Sequence, residues 1–474
     1  MVNRGRPSKD CLPCRMRKLR CDLNPQGCGQ CSRAGITCRG YRNPRDLSFR
    51  DETCTAGRQV LARCAVGHKA QPASLQLDWV ARARYTFFTV YVSGFSLGFS
   101  GILPYYIELP SSATLVASID ATSLAFLATT MPLDDRPKYL TMARVKYGSA
   151  VGSLRRDLVF PETADPSAVL ESMLLLDQYE KMMTQAPRGS HAWTAHTRGG
   201  ISLIQHLGGN FAQTTVGRGL ATRVMGALTV SCGATATMVP EALSCLRNLL
   251  DSAMSSDIKW ASNKILANLI DLQAELHSRG SHCLPRHLEQ AEELDKSFLA
   301  LFDKFPPSWR PQRTYPPTSL SSLAFGEYFE VFPNHRIRQF TTGVRCMRLI
   351  LRRIISSSGR LDDPASSAAT TSDLARDICA TVAALVLPDA SHGGGTVLSL
   401  LRQLQYCTLL APLHLVHQVC GGVEMKCWIR RVLEHMASSG GIKAAQDTLN
   451  LIHREPNAEY WRVVAMVGSY AFAT

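Results

Sequence analysis

Six of the sixteen cysteines in this chain fall within 28 residues, in a pattern that occurs twice. The pattern is C-x2-C-x6-C, and its two copies are separated by six residues. The cysteines are Cys11, Cys14, Cys21, Cys28, Cys31 and Cys38. A C-x2-C pair places two thiolates on one side of a tight turn, and the third cysteine returns after about two helical turns to close the same site. Because tetrahedral zinc takes four ligands, six thiolates hold two zinc ions only if two sulfurs are shared. The alternative is one closed four-cysteine site with two spare thiols.

Iron–sulfur clusters and disulfides fit these cysteines less well than zinc does. Ferredoxin-type iron–sulfur proteins use C-x2-C-x2-C-x3-C or C-x4-C-x2-C spacing, and neither pattern occurs here. A disulfide framework needs an oxidising compartment. Residues 1–7 carry charge with no apolar stretch behind them, so we expect no secretory signal and reduced thiols. The cysteines therefore favour a binuclear zinc cluster.

The segment CLPCRMRKLRC at residues 11–21 resembles the fungal Zn2Cys6 binuclear-cluster transcription-factor family. The resemblance implies two zinc ions bridged by the sulfurs of Cys11 and Cys28. The other four cysteines complete the two sites in pairs, Cys14 with Cys21 and Cys31 with Cys38. One departure is that the family usually has a proline five residues after the third cysteine, whereas Pro25 follows Cys21 by four.

The positive charge of the chain is concentrated beside these cysteines. The formal net charge is +14, yet residues 1–50 alone hold 12 basic and three acidic residues, a balance of +9. The remaining 424 residues hold 40 basic and 35 acidic residues. Six thiolates and two Zn²⁺ ions together carry −2, which leaves residues 1–50, called the head below, at about +7. This distribution indicates a polyanion-binding head on a nearly neutral body.

Four cations occupy the six residues between Cys14 and Cys21, namely Arg15, Arg17, Lys18 and Arg20. The equivalent stretch in the second half, residues 32–37, contains only Arg33. We therefore expect the first short helix to face double-stranded DNA. Met16 and Leu19 are three residues apart, so we expect them to pack inward against the cluster while the cations point outward.

The roles of these cations follow from the family resemblance. The family position held here by Lys18 reads guanine edges in a CGG-type half-site, and we extend base readout to Arg17. Phosphate contacts are expected from Arg15 and Arg20. The alternative is that all four cations form only a solvated basic face.

Two flanking segments extend the head. Arg4, Gly5, Arg6 and Pro7 match the core of a minor-groove AT-hook, and the alternative for this tract is a flexible arm for phosphate contact or nuclear import. Residues 40–52 resemble the linker of many family members. Residues 53–76 do not sustain a coiled-coil heptad pattern, so a homodimer would need another contact and monomeric binding stays open.

The sequence beyond residue 76 predicts helix after helix. Ala143, Tyr147, Ala150 and Leu154 share one helical face, and similar patterns cover residues 258–276 and 396–419. Residues 306–317 and Ser356–Asp373 predict surface loops. The expected organisation is a Zn2Cys6 domain with a basic arm at 1–45, a linker at 46–76 and an all-helical domain at 77–474, with a possible boundary near 305–320. The fold class is therefore mainly α.

Residues 80–210 also resemble the fungal-specific regulatory domain that follows such zinc clusters. The resemblance rests on the Leu174–Leu176 helix and on a later stretch that contains Trp193, His196, Gly199, Gly200, Leu203, Leu207 and Gly208. It implies an all-helical regulatory module that in some members responds to a ligand or a partner, and it implies no catalysis. The transcription machinery or co-regulators are the expected partners of this module.

Membrane insertion, hydrolysis and a second metal site have weaker support in the sequence. Tyr85–Ile107 is long enough to cross a membrane, but polar residues and glycines dilute it, so a buried core segment is favoured and no membrane partner is expected. Gly94–Gly98 fits a G-x-S-x-G elbow, yet the glycine tract at 392–395 follows it, in the wrong order for a lipase-type hydrolase. His414, His417 and Cys420 could share a helix side but are more simply ordinary core or surface residues.

The sequence therefore predicts a nuclear, zinc-dependent, sequence-specific DNA-binding regulator of RNA polymerase II genes that reads CGG-type half-sites. It is expected to be pathway-specific, as for a biosynthetic gene cluster, and not an enzyme. The alternative is a zinc-headed co-regulator or scaffold that binds nucleic acid without sequence preference.

Overall fold

The computed structural model describes residues 8–41, 78–108, 110–131, 134–184, 192–279, 284–316, 322–357, 364–387 and 398–472. The chain divides into two compact units between Gln76 and Leu77. The fold is mainly helical, with a small N-terminal cysteine-rich unit, which confirms the predicted fold class.

The described part of the first unit contains two helices of five residues each. Helix α1 spans Leu12–Met16 and helix α2 spans Gly29–Arg33. Its buried side chains in the described range are those of cysteines.

The second unit begins with helix α3 (Trp79–Thr86), which continues into a π-helical segment (Phe87–Phe95) and a 3-10 segment (Leu97–Tyr106). Fifteen further α-helices follow among the described residues. They are α4 (Ala113–Thr130), α5 (Arg136–Val159), α6 (Pro166–Met183), α7 (Ala192–Gln213), α8 (Thr215–Thr235), α9 (Glu241–Met254), α10 (Ile258–Ser278), α11 (Pro285–Asp303), α12 (His335–Ser356), α13 (Pro364–Ala380), α14 (Ala383–Val386), α15 (Leu400–Val419), α16 (Val423–Ser438), α17 (Lys443–Arg454) and α18 (Tyr460–Val467). Short 3-10 turns occur at Pro161–Thr163, Pro307–Trp309 and Gly468–Tyr470.

Several of these helices begin at residues whose side chains satisfy the free N–H groups of the first turn. Such N-cap residues stabilise a helix by about 1 kcal/mol each. The capping side chains are those of Asp78, Ser112, Asp165, Thr214, Asp257, Asn334 and Ser399.

The helix patterns at residues 258–276 and 396–419 are confirmed by α10 and α15, the latter beginning four residues later than the pattern. The predicted loop over Ser356–Asp373 is wrong, because α13 begins at Pro364. Proline is tolerated in the first helical turn, and the alanines that follow favour helix over the serines and threonines that suggested a loop.

One small sheet interrupts the helices. Strands β1 (Gln312–Thr314) and β2 (Phe329–Val331) pair antiparallel, with Arg313 opposite Glu330. Each strand has only three residues, which is too short to produce a readable alternation in the sequence.

Helix α4 lies in the core of the second unit and packs against α5 and α6. Among the described residues it is the one helix long and apolar enough to cross a membrane by length and composition, and 72% of it is buried inside the protein. The segment singled out from the sequence, Tyr85–Ile107, also contributes to this core, where the rings of Phe87 and Tyr91 stack with centroids 5.3 Å apart.

Two glycines of α8 give a matched test of core packing. A Cβ atom at Gly233 would lie 2.8 Å from the ring of Trp461, whereas a Cβ at Gly219 would meet nothing within 4 Å. We expect Gly233→Ala to lower the free energy of unfolding by about 1–3 kcal/mol through overpacking. Gly219→Ala should raise it by about 0.5–1 kcal/mol through helix propensity. Urea unfolding of both variants checks this, and equal effects of the two would contradict the packing described for α8.

Candidate metal centre and nucleic-acid interface

The two halves of the cysteine-rich unit repeat the same backbone structure 17 residues apart. Cys11 is the extended N-cap of α1, and Cys28 is the extended N-cap of α2. After each helix the chain has left-handed residues at two equivalent positions, Lys18 (φ 53°) and Leu23 (φ 55°) in the first half and Gly35 (φ 67°) and Gly40 (φ 77°) in the second. In each half a backbone N–H then returns to the second cysteine, from Leu19 to the Cys14 carbonyl at 2.9 Å and from Ile36 to the Cys31 carbonyl at 3.1 Å.

This backbone gathers the six thiols into two groups that share the sulfur of Cys11. One group contains Cys11, Cys14, Cys21 and Cys28, and the other contains Cys11, Cys31 and Cys38, with all sulfurs of a group within 4.8 Å of one another. The sulfur–sulfur distance is 3.4 Å for Cys14 and Cys28 and 3.6 Å for Cys11 and Cys31. Two thiolates bound tetrahedrally to one zinc ion at about 2.3 Å lie about 3.8 Å apart, so this donor set fits zinc.

Backbone N–H groups act on three of these thiols, Cys21, Cys28 and Cys38, and the pKa falls for the last two. Burial by itself raises the pKa of the Cys28 thiol, but hydrogen bonds from the backbone N–H of Cys31 and from the Cys14 thiol bring this pKa down to about 7. The backbone N–H groups of Cys28 and Gly40 likewise lower the pKa of Cys38. Thiolates are the zinc ligands, so N–H groups directed at sulfur favour the metal-binding form.

The loop between the halves is held by polar contacts that the sequence did not suggest. Asp22 accepts a hydrogen bond from the backbone N–H of Gly29 at 2.9 Å, and this bond lowers the pKa of the Asp22 carboxyl. Tyr41 donates its hydroxyl to the Asn24 carbonyl at 2.5 Å and packs against the cysteines. Burial, followed by the nearby charge of Cys38, raises the pKa of Tyr41 to about 12.

Pro25 occupies the second position of a tight turn. The turn is closed by a hydrogen bond of 3.0 Å from the Gly27 N–H to the Asn24 carbonyl. Proline is favoured at the second position because its φ is already fixed near the value required there. The departure of Pro25 from the usual family position is therefore accommodated within the loop, before Cys28.

Comparison with known proteins identifies this region. Residues 9–48 match the family model described as the fungal Zn(2)-Cys(6) binuclear cluster domain. The chain carries a fungal Zn2Cys6 cluster domain. Such a cluster binds two zinc ions and DNA, and the proteins that contain it are transcription factors that are generally nuclear. No curated protein and no solved structure matches the chain.

The Zn2Cys6 domain exposes most of the cations selected from the sequence. Arg17, Lys18 and Arg20 are exposed and Arg15 is half-buried. Arg4 and Arg6 lie outside the described residues. The cations of the first half therefore remain available for an outside partner.

The expectation for Met16 and Leu19 is wrong. The side chain of Met16 is 77% exposed and that of Leu19 is 40% exposed, so neither packs as a core residue against the cluster. Helix α1 ends at Met16 and the backbone reverses at Lys18. The three-residue spacing that places side chains on one face does not apply across such a break.

The left-handed position distinguishes the two halves of the Zn2Cys6 domain. Glycine adopts positive φ without penalty, whereas other residues pay roughly 1 kcal/mol or more. The second half has Gly35 there, and the first half has Lys18. The same difference occurs at a second position, where the first half has Leu23 and the second half has Gly40. Aligning the two halves of the sequence at their 17-residue offset would have revealed this difference.

Residues considered for other chemistry do not form such a site in the described structure. His414 is buried and its Nε2 atom contacts the Ala458 carbonyl at 2.8 Å, and neither it, His417 nor Cys420 belongs to a potential metal-binding group there. Ser96 is buried between a π-helical and a 3-10 segment, not at the strand–helix elbow of a hydrolase. Residues 392–395 lie outside the described residues.

Loss of one thiol should disassemble the metal centre. We expect Cys14→Ala to reduce bound zinc below two ions per chain and to unfold the head, since the metal stabilises a fold without an apolar core. Zinc content by atomic absorption, together with proteolysis within residues 8–41, measures this. The control is Cys427→Ala, which removes an exposed cysteine in α16. A Cys14→Ala protein that retains two zinc ions and a resistant head would contradict the site.

Proposed function

We propose that the chain is a nuclear, sequence-specific regulator of RNA polymerase II genes whose Zn2Cys6 domain reads CGG-type half-sites. The observation that carries the proposal is Lys18, an exposed lysine held at a left-handed position beside the cluster. Lysine can donate to the O6 and N7 acceptors of guanine in the major groove. Glycine at the equivalent position of the second half cannot.

The two zinc ions are assigned to the six cysteines with Cys11 and Cys28 as the bridging ligands. Cys11 belongs to both thiol groups, which supports its bridging role directly. Cys28 belongs to the first group and contacts the Cys14 sulfur, and it lies in the α2 half that supplies Cys31 and Cys38. Four ligands for each metal are reached only when both sulfurs are shared.

The remaining cations of the head supply the less specific part of binding. Arg17 assists base readout beside Lys18, and Arg15 and Arg20 contact phosphates. Arg4 and Arg6 add further DNA contacts, either to backbone phosphates or in the minor groove. The zinc–thiolate cluster carries a net charge of −2. The cations beside it therefore also partly neutralise the cluster.

The organisation of the chain follows from this role. Residues 1–45 form the DNA-binding domain, residues 46–76 the linker, and residues 77–474 a fungal-specific regulatory domain with a possible boundary near 305–320. The helical domain receives co-regulators or the transcription machinery and sets the activity of a pathway-specific gene group. Binding occurs as a monomer or as a homodimer whose contact is not a coiled coil.

Substitution of Lys18 by glycine tests the role of the lysine side chain without changing the backbone conformation. Lys18→Gly should preserve both zinc ions, because glycine favours the left-handed conformation. It should reduce discrimination between a CGG-containing duplex and a scrambled one by about 10-fold to 100-fold, the effect of losing one good base contact. The measurement is fluorescence anisotropy of the full chain on both duplexes at one stated salt concentration.

The control for this experiment is Arg33→Ala, which removes the single cation of the second half. We expect Arg33→Ala to retain discrimination. If the Lys18→Gly protein still discriminated between the two duplexes, a residue other than Lys18 would be responsible for base readout. Equal affinity of the wild-type chain for both duplexes, with an identical salt dependence, would instead support the sequence-independent co-regulator.

A further inference from the structure

Helix α12 carries three buried arginines, Arg338, Arg345 and Arg348. A guanidinium is always charged at neutral pH, and removing it from water is costly unless a carboxylate compensates for the lost hydration. The partners of these three side chains therefore determine how much of the desolvation cost of their buried charges is offset.

Two of the three have carboxylate partners. Arg345 forms a two-pronged pair with Glu330 of β2, with N–O distances of 2.6 and 3.0 Å. The Nε atom of Arg348 donates to Asp295 of α11 at 2.8 Å. These contacts satisfy the usual rule that a buried guanidinium is paired.

Arg338 has no such partner in the described structure. Its side chain is 3% exposed. Its Nη2 atom donates to the Thr408 hydroxyl of α15 at 3.1 Å, whereas its Nε and Nη1 atoms have no hydrogen-bond partner. On the same helix, one turn further on, the hydroxyl of Thr341 is also buried without a partner.

A second cation adds to this imbalance. Burial, followed by the charge of Arg402 on α15, lowers the pKa of Arg338 to about 9. Arg402 donates its Nε to the Leu385 carbonyl at 3.0 Å and pairs with no acid among the residues that the structure describes. Two arginines therefore act on each other here with no negative charge between them.

We propose that Arg338 anchors a binding site for a small anion that carries a carboxylate or phosphate group, located between α12 and α15. The free Nε and Nη1 atoms of Arg338 supply two donors for the oxygens of such an anion. Arg402 supplies the second positive charge. The site lies in the helical unit and includes no residue of the zinc cluster.

A macromolecular partner is a poorer fit. The free nitrogens of Arg338 are inaccessible to solvent, so a phosphate of a nucleic acid backbone or a protein surface would have to enter the helix interface. A metal cation is opposed by the two positive charges. A small oxyanion is the ligand class that matches both the donors and the charge.

The test is thermal unfolding of the full chain with sodium acetate or sodium phosphate, compared with sodium chloride at equal ionic strength. A ligand that binds only the native state raises Tm with its concentration. We expect a saturable rise of Tm in acetate, in phosphate or in both, which also identifies the preferred group. Arg338→Met should abolish that rise. Without added anion it should be at least as stable as the wild type, because it removes an unpaired buried charge.

Two further variants keep the result interpretable. Arg402→Gln should increase the anion concentration for half-maximal effect by about tenfold or more, the loss of one charge-assisted contact. Arg353→Gln removes an exposed arginine of the same helix and should leave the response unchanged. If Arg338→Met does not fold, the proposal is tested by comparing the half-maximal anion concentrations of Arg402→Gln and Arg353→Gln. Equal values in the two variants would contradict it.

Three results would overturn the proposal. The first is a Tm that does not respond to acetate or phosphate beyond the effect of chloride. The second is an equal response in the wild type and Arg338→Met, which would indicate a general salt effect. The third is an unchanged half-maximal concentration in Arg402→Gln.

Discussion

The thiolate cluster takes the place of a hydrophobic core in the N-terminal unit. Between residues 8 and 41 the buried side chains are those of cysteines, while Leu12, Met16, Leu19 and Ile36 are exposed. So small a unit cannot bury enough apolar surface to offset its conformational entropy. Zinc–sulfur bonds supply that free energy instead, so metal binding and folding of the head are one event. Every other feature of the head, including the position of its cations, depends on this bonding.

The repeated backbone around the cluster explains how one half can specialise. Both halves need a helix of one turn, a reversal and a returning third cysteine, and these requirements fix the backbone at Lys18 and Gly35 alike. Neither residue belongs to the metal-binding thiol groups. The Lys18 side chain is exposed, so the first half differs from the second by one cation that the metal centre does not use.

The metal centre was more predictable from the sequence than the surface around it. Cysteine spacing predicted the two zinc sites because ligand geometry leaves few solutions. The predicted packing of Met16 and Leu19 was wrong, because helical periodicity says nothing about where a five-residue helix ends. In the second unit, periodicity found long helices such as α10. It failed at α13, where alanine propensity outweighed a composition typical of loops, and it could not detect strands of three residues.

Electrostatic balance inside the helical unit depends on residues far apart in the sequence. Asp295 precedes Arg348 by 53 residues and Glu330 precedes Arg345 by 15, so neither pair shares a helix or an obvious motif. From sequence alone, a helix with many arginines is therefore predicted to be an amphipathic surface helix. Only the structure shows that acidic residues elsewhere in the chain allow some of these arginines to be buried. On the side of α12 that contacts α11 and β2, carboxylates compensate the buried guanidinium charge. On the side that contacts α15 the compensation is incomplete, because the Arg338 guanidinium donates to a neutral hydroxyl and has no carboxylate partner among the described residues.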